Sequence, residues 1–109
     1  MSEEEIAAYV TQLYADESVS GILVQLPLPG HINEERILSL IGPDKDVDGL
    51  HPINLANLAV KGKQPSFVAC TPFGCMRLIE SVRPEGIEGL NAAVIGRSAI
   101  VGVPMAMLL

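Results

Sequence analysis

Three aspartates stand at alternate positions in the segment PDKDVDGLHP, which covers residues 43–52. Asp44, Asp46 and Asp48 are followed by a glycine, and the calcium loop of an EF-hand begins in the same way. That loop needs a bidentate glutamate at its twelfth position, and here the corresponding residue is Leu55. We therefore expect no calcium ion in this segment, and the carboxylates need another explanation.

Asp48 is the strongest ligand candidate of the three. Asp44 and Asp46 can be explained as turn-forming residues, because aspartate readily accepts hydrogen bonds from the backbone two residues on. Gly49 follows Asp48 directly and allows a bound molecule to approach the chain closely. A carboxylate can accept two parallel hydrogen bonds, which suits the edge of a 2-aminopyrimidinone such as a pterin. This chemistry fits pterin recognition without establishing it.

Gln25 is the one strongly polar side chain in the apolar segment SGILVQL, residues 20–26. Such a run predicts a strand that is buried on both faces and ends at Pro27. In open parallel sheets, ligands bind beyond the carboxyl ends of the strands. A buried amide at that position either binds a ligand or is satisfied by neighbouring backbone groups, and the residues favour neither interpretation.

The segment VIGRSAIVGVP, residues 94–104, predicts a strand, a tight turn at Gly96 and the start of a helix. It is similar to the G-x-G-x-x-G turn of dinucleotide-binding proteins, with Ser98 in place of the middle glycine. Ser98 could bind a phosphate, and Arg97 could pair with a 2′-phosphate, which would favour NADP over NAD. An ordinary turn with a surface arginine explains the same residues. The G-x-S-x-G hydrolase elbow does not fit, because isoleucine replaces its second glycine.

Composition and charge argue against several classes of protein. The chain has 109 residues, 49% of them hydrophobic, which suffices for one modest core. Its net charge of −6 gives no electrostatic reason to bind nucleic acid. No apolar run approaches the roughly 20 residues that span a bilayer, and the acidic start is unlike a signal peptide. We therefore expect a cytoplasmic protein, with an organellar parent as the alternative. Cys70 and Cys75 lack a second ligand pair for zinc, so we interpret them as reduced thiols and expect no metal.

The predicted elements alternate between helix and strand, which is typical of the α/β class. A capping box of Ser2 and Glu5 begins the first helix, and Asn33 is the expected N-cap of the second. Thr71 is the expected N-cap of a later helix. The predicted helices cover residues 3–15, 33–42, 53–62, 72–82 and the end of the chain, and the predicted strands cover residues 20–26, 66–70 and 91–96.

Taken together, four blocks of sequence resemble the bifunctional methylenetetrahydrofolate dehydrogenase/cyclohydrolase family. They are GILVQLPLP, PDKDVDGLHPIN, CTPFGC and AVIGRSAIVGVPMAMLL, at residues 21–29, 43–54, 70–75 and 93–109. The resemblance implies an α/β fold in two parts. Residues 1–70 would form part of a folate-binding domain. Residues 71–109 would contain the connecting helix and the first strand, turn and helix of a Rossmann-like NADP-binding domain.

The resemblance also implies an activity. The family oxidises 5,10-methylenetetrahydrofolate to 5,10-methenyltetrahydrofolate with NADP, and then hydrolyses the product to 10-formyltetrahydrofolate. It implies a homodimer in which tetrahydrofolate derivatives bind in the cleft between the domains. Two alternatives remain: a non-catalytic truncated product, and an unrelated NADP-binding dehydrogenase module.

Site residues follow from the resemblance position by position. Gln25 matches the glutamine that hydrogen-bonds the catalytic lysine, and Asp48 matches the aspartate that binds the pterin edge. Val24 and Leu26 flank Gln25 against the substrate. The cofactor turn is matched by Gly96, Arg97 and Ser98.

The chain departs from the family pattern at a few positions. Ala69 replaces a usual proline and Ala56 a frequent glycine, which affects only the expected local loop geometry. The family's catalytic lysine belongs to a Tyr-x-x-x-Lys motif, and neither Tyr9 nor Tyr14 is followed by such a lysine. The helical pattern is also still running at Leu109. We therefore expect an internal fragment of a larger enzyme that is inactive by itself.

Overall fold

The computed structural model describes all 109 residues, and its regular secondary structure consists of five helices. These are α1 (Glu3–Ala15), α2 (Glu34–Ser39), α3 (Pro52–Ala59), α4 (Cys70–Val82) and α5 (Gly102–Leu108). Each overlaps a segment that was predicted to be helical, although α2 is shorter than predicted and α4 begins at Cys70, in the predicted strand of residues 66–70. None of the five is long and apolar enough to span a lipid bilayer.

The first two helices begin at the predicted caps. The Glu5 N–H donates to the Ser2 hydroxyl at 3.3 Å, and the Ser2 N–H donates to the Glu5 carboxylate at 2.6 Å, which completes the capping box. The Arg36 N–H donates to the side-chain oxygen of Asn33 at 3.1 Å. At α4 the prediction was wrong, because the helix begins one residue before Thr71 and its N-cap, Ala69, has no side chain that could accept a hydrogen bond.

A small apolar core lies between α1, α2 and the segments that flank α2. Ile37 and Ile41 are almost completely buried, at 0% and 2% exposure, so truncating either to alanine would cost about 2–5 kcal/mol of stability. The core consists of Ala7, Val10, Ile22, Ile32, Ile37 and Ile41. This core supports the chain immediately before Gln25, because Ile22 is one of its members.

Charged groups also connect α1 to α2. Arg36 pairs with Glu3, and it donates two hydrogen bonds to the Glu4 carboxylate, at 2.7 and 3.0 Å. The Asn33 N–H, which also donates to Glu3, lowers the pKa of that carboxyl, and Arg36 lowers it further. The acidic outer face of α1 is therefore partly neutralised by α2.

The three predicted strands are not present as paired strands. Residues 20–26, 66–70 and 91–96 contain no ladder, and a single parallel bridge connects Ile22 to Asp46. A strand is stable only when a neighbour supplies hydrogen bonds, and within these 109 residues no segment pairs with residues 91–96. The side chain of Ile95 is accordingly fully exposed.

Burial on both faces was also wrong for residues 20–26. Ile22 is buried and Val24 is half-buried, whereas Leu23 and Gln25 are exposed. This alternation is typical of an extended segment with one face against a core. It directs Gln25 away from the core, where it is accessible to a ligand.

Helix α5 packs against both α3 and α4. The turn that precedes α5 contains Gly96, and α3 directly follows the acidic segment that contains Asp48. The packing of these helices therefore brings the glycine turn close to the acidic segment.

Candidate functional site

The structure separates the three aspartates of the acidic segment. Asp44 is exposed and accepts a hydrogen bond from the Tyr14 hydroxyl at 3.1 Å. Asp46 is 3% exposed, and its carboxylate accepts from the N–H groups of Leu50 and His51 at 3.2 and 2.9 Å. Asp48 is half-buried and has no hydrogen-bond partner within the chain. Of the three carboxylates, only that of Asp48 accepts no hydrogen bond within the chain.

Asp48 lines a cleft of about 280 Å³. Val24, Gln25 and Leu26 line the same cleft, so the structure brings together all four residues that were predicted to contact a substrate. Segment 69–71 provides a further part of the lining. Burial, and secondly the charge of Asp46, raise the pKa of Asp48. An N–H donor or a cation that replaced the lost water would stabilise the carboxylate in this cleft.

Gly49 allows the acidic segment to pack directly against the backbone of residues 67–69, on the other side of the cleft. Its φ of 67° is in the left-handed region. A Cβ at this position would lie 2.6 Å from the Ala69 nitrogen and 2.7 Å from the Val68 carbonyl carbon. Only glycine fits both the conformation and the close approach. Asp48 is thereby held close to segment 69–71.

Gln25 is exposed, so the prediction of a buried amide was wrong. Its Nε2 donates to the Leu26 carbonyl oxygen at 3.0 Å, and its amide oxygen has no partner within the chain. The two sequence interpretations, a backbone contact and a ligand contact, are therefore compatible. The backbone fixes the amide while its oxygen remains free to accept a hydrogen bond from another group.

The glycine turn begins at Gly96, where φ is 136°. The Ser98 hydroxyl accepts hydrogen bonds from the N–H groups of Val101 and Gly102, at 3.2 and 3.3 Å. Ser98 therefore binds the N–H groups at the start of α5, and its own O–H proton is free to be donated. Arg97 is exposed and forms no ion pair within the chain. These groups could bind a phosphate.

Gly102 contributes to this turn, although the sequence analysis assigned it no role. A Cβ at Gly102 would lie 2.6 Å from the Gly96 carbonyl carbon and 2.8 Å from the Arg97 nitrogen. The first residue of α5 therefore packs directly on the backbone of the turn. In a G-x-G-x-x-G turn the last glycine permits close packing of helix and strand, and counted from Gly96 its place is taken by Val101. Here the close approach is made one residue later, at Gly102. Its position at the predicted helix start was the available signal.

A second cleft, of about 450 Å³, lies beside the first. Ser98, Ala99 and Ile100 of the turn line one part of it. Leu26, Leu50 and Ile100 line both clefts. A molecule bound to the turn and a molecule bound beside Asp48 would therefore contact the same apolar side chains.

The two cysteines are free thiols. Cys70 is exposed and lines the Asp48 cleft, with its Sγ atom 3.9 Å from the Val47 carbonyl oxygen. Cys75 is half-buried and does not line either cleft. No group of three or more histidine, cysteine, aspartate or glutamate side chains is arranged to hold a metal ion.

Two domain models of one family match the chain in order. The catalytic domain of tetrahydrofolate dehydrogenase/cyclohydrolase matches residues 1–48, and the NAD(P)-binding domain of the same family matches residues 69–109. The chain belongs to the tetrahydrofolate dehydrogenase/cyclohydrolase family, as the resemblance of its sequence blocks indicated.

Curated relatives match almost the whole chain. The chloroplastic bifunctional protein FolD 3 of Arabidopsis thaliana is 52% identical over 108 residues, which are 99% of this chain and 34% of that protein. The bifunctional protein FolD of Polynucleobacter asymbioticus is 54% identical over 109 residues, which are 100% of this chain and 37% of that protein. The chain thus spans about a third of the length of these relatives.

Solved structures of similar proteins have the same fold over this length. The bifunctional enzyme FolD of Campylobacter jejuni matches with a TM-score of 0.87 and 45% identity, over 99% of this chain and 38% of that chain. The Trypanosoma brucei methylenetetrahydrofolate dehydrogenase-cyclohydrolase, which was solved with NADP and an inhibitor, matches with a TM-score of 0.89 and 37% identity, over 99% and 36%. These matches confirm the α/β fold class.

Proposed function

We propose that this chain supplies the folate cleft and the first cofactor-binding turn of a bifunctional enzyme. That enzyme oxidises 5,10-methylenetetrahydrofolate to 5,10-methenyltetrahydrofolate with NADP, and hydrolyses the product to 10-formyltetrahydrofolate. The observation that carries the proposal is the cleft in which the free carboxylate of Asp48 lies beside Gln25, next to the glycine turn. Residues 1–70 then belong to the folate-binding part and residues 71–109 to the beginning of the NADP-binding part.

On the folate side, Asp48 accepts two hydrogen bonds from the N–H groups along the pterin edge. Val24 and Leu26 supply apolar walls that exclude water from the ring. Fixing the ring at one edge also fixes the carbon that gives up the hydride, and orientation of this kind supplies a large part of the rate. The role of Asp48 is thus to bind and orient the substrate.

On the cofactor side, the Ser98 hydroxyl donates to a phosphate and Arg97 pairs with the 2′-phosphate of NADP. When bound, NADP supplies the hydride acceptor. Because Ile100 lines both clefts, the turn holds the cofactor against the same apolar side chains that border the substrate. This arrangement requires the close packing at Gly102.

Gln25 acts on the hydrolysis step. Its amide is fixed by the Leu26 carbonyl, so the free amide oxygen can accept a hydrogen bond from the amino group of a lysine. In our proposal this lysine is the one that the family resemblance places outside these residues, and it manages the proton of the attacking water. Gln25 keeps that lysine in its working orientation and helps to set its protonation.

The chemistry of the turn predicts a cofactor preference. Replacing Arg97 with alanine should reduce the ratio of kcat/KM for NADP to that for NAD by about tenfold or more, because a charge-assisted contact to the 2′-phosphate is lost. The measurement is steady-state kinetics of the full-length gene product with each cofactor. Arg77→Ala, an exposed arginine on α4 that pairs with Glu80, is the matched control. An unchanged ratio in Arg97→Ala would refute the 2′-phosphate contact.

Replacing Gln25 with alanine should separate substrate binding from hydrolysis. We expect cyclohydrolase turnover to fall by about tenfold or more, while the Kd of the folate changes by less than about threefold, since Gln25 orients a proton-transfer group. The rate is measured from the loss of methenyltetrahydrofolate absorbance. Gln12→Ala, on the exposed face of α1, should leave both quantities unchanged. Undiminished hydrolysis in Gln25→Ala would remove this residue from the site.

The function itself is tested by assaying the full-length gene product for both steps. NADP-dependent oxidation of 5,10-methylenetetrahydrofolate and hydrolysis of the methenyl product should occur in one protein. A protein that binds NADP but no folate would instead be an unrelated dehydrogenase module, and one with neither activity a non-catalytic product.

The assembly and location of the protein are part of the same proposal. We infer from the family resemblance that the full-length protein is a homodimer. We propose the cytoplasm as its location, with an organelle as the alternative. Light scattering of the purified protein should give twice the chain mass, and a monomer would contradict the first statement. A fluorescent fusion that accumulates in an organelle would contradict the second.

A further inference from the structure

A buried polar side chain lies behind the folate cleft. Asn54, in the first turn of α3, is 1% exposed, and both the nitrogen and the oxygen of its side-chain amide have hydrogen-bond partners. Its Nδ2 atom donates to the Pro43 carbonyl oxygen at 2.9 Å and to the Asp46 carboxylate at 2.8 Å. Its Oδ1 atom accepts from the Ser66 N–H at 3.0 Å. One amide therefore connects three separate points of the backbone and side chains around the cleft.

One of these connections holds the segment that carries Asp48. The Asp46 carboxylate bonds the N–H groups of Leu50 and His51, which lie on the far side of Asp48 in the sequence. Asp46 thus closes a small loop with Asp48 within it. A carboxylate on a residue that is 3% exposed needs such partners, and Asn54 donates one of the hydrogen bonds that hold it in place.

The other connection reaches the opposite wall. Ser66 begins the segment that leads to Ala69 and the start of α4, and its backbone is held by Asn54 rather than by a strand partner. The close approach at Gly49, whose Cβ would overlap the Ala69 nitrogen, brings the two walls into contact a few residues away. The two contacts together fix how far apart the walls lie.

We propose that Asn54 is a positioning residue that sets the separation of the Asp48 loop from segment 66–71, and through it the affinity for the pterin ring. The proposal rests on the function proposed above. Asn54 does not line the cleft, so a ligand bound there would not touch it. Its effect is carried by Asp46 on one side and by Ser66 on the other.

A purely structural role for Asn54 would produce a different result. If the residue only stabilised the fold, its loss would weaken folate and NADP binding together, in proportion to the fraction of protein unfolded. As a positioning residue it sets the distance between the Asp48 loop and segment 66–71 of the folate cleft. The glycine turn forms no hydrogen bond with Asn54. Folate binding should then suffer selectively.

The test is a set of variants of the full-length gene product. In Asn54→Asp, the shape and the bond to Ser66 are kept, but the group that donates to Asp46 and to the Pro43 carbonyl becomes a repelling carboxylate oxygen. Ile37→Val, in the buried core away from the cleft, is the control for a general loss of stability.

The readout is the Kd of 5,10-methenyltetrahydrofolate and of NADP by calorimetry, at a temperature where every variant is folded. We expect Asn54→Asp to weaken folate binding at least tenfold, with NADP binding within twofold. Ile37→Val should change neither constant. Should Asn54→Asp not fold, Asn54→Ser is measured in its place with the same expectation.

Three outcomes would overturn the proposal: an equal loss of both ligands, unchanged folate binding, or failure of both Asn54 variants to fold, which would make the residue purely structural. Failure of the proposed function is a separate result, because the unaltered protein would then bind no folate. Normal folate binding in the unaltered protein and in Asn54→Asp would refute only the positioning role.

Discussion

Replacing Asp48 with asparagine is expected to weaken folate binding by about a hundredfold, which corresponds to about 2.7 kcal/mol, while NADP binding stays within twofold. Asparagine has nearly the same shape but only one acceptor oxygen, and its amide N–H groups would face the N–H groups of the pterin. Asp48→Ala, which also removes the shape, should cost at least as much. Calorimetric titration of the full-length gene product with each ligand measures the effect.

The same segment contains a matched control for this experiment. Asp44→Asn makes the same chemical change four residues away, at a carboxylate whose partner is the Tyr14 hydroxyl outside the cleft. It should leave folate binding unchanged. An equal loss of folate and NADP affinity in Asp48→Asn, or an equal loss of folate affinity in Asp44→Asn, would contradict the role of Asp48.

The pH dependence of folate binding gives an independent check. Because burial raises the pKa of Asp48, its carboxylate takes up a proton at a higher pH than an ordinary aspartate. The part of the affinity that Asp48 supplies is therefore present above that raised pKa and is lost as the pH falls through it. Asp48→Asn should lack this loss, and a titration with the same acid limb in both proteins would assign the limb to another group.

Replacing Gly102 with alanine is expected to weaken NADP binding by about tenfold or more, while the protein remains folded. The new methyl group would lie 2.6 Å from the Gly96 carbonyl carbon and 2.8 Å from the Arg97 nitrogen, and both are backbone atoms that can move only with the turn. The displaced turn would carry Arg97 and the Ser98 hydroxyl away from the phosphates. Calorimetric titration with NADP measures the change in Kd.

Gly74 provides the control for this substitution. It also lies in a helix, α4, but a Cβ there would meet no atom within 4 Å. Gly74→Ala should leave NADP binding unchanged and stabilise the helix by about 0.5–1 kcal/mol, since alanine restricts the unfolded chain. NADP binding that is as strong in Gly102→Ala as in Gly74→Ala would show that the close packing at Gly102 has no role in the cofactor site.

Features that depend on neighbouring residues in the sequence were predictable. The capping box of Ser2 and Glu5 and the N-cap at Asn33 are local hydrogen-bond patterns, and the structure contains both. The turn at Gly96 was predictable for the same reason. The strands were not, because residues 91–96 need a partner segment and find none among these 109 residues.

Four residues that line the candidate cleft were singled out from the sequence, but how they are held was not predictable. The sequence singled out Asp48, yet it could not show that Asp46 is buried by contacts that include Asn54, eight residues further on. Nor could it show that Gly102 packs on the turn, since that approach depends on the packing of α5. Exposure of Gln25 follows from the alternation of residues 20–26 on a single core, which an apolar run does not reveal.

The central claim is that Asp48 binds a pterin and not a metal ion. A crystal structure of the full-length gene product with a folate analogue and NADP tests it most directly. We expect the pterin edge at about 3 Å from both oxygens of the Asp48 carboxylate, with the ring between Val24 and Leu26. A pterin bound elsewhere, or a cation shared by Asp48 and its neighbouring carboxylates, would contradict the claim.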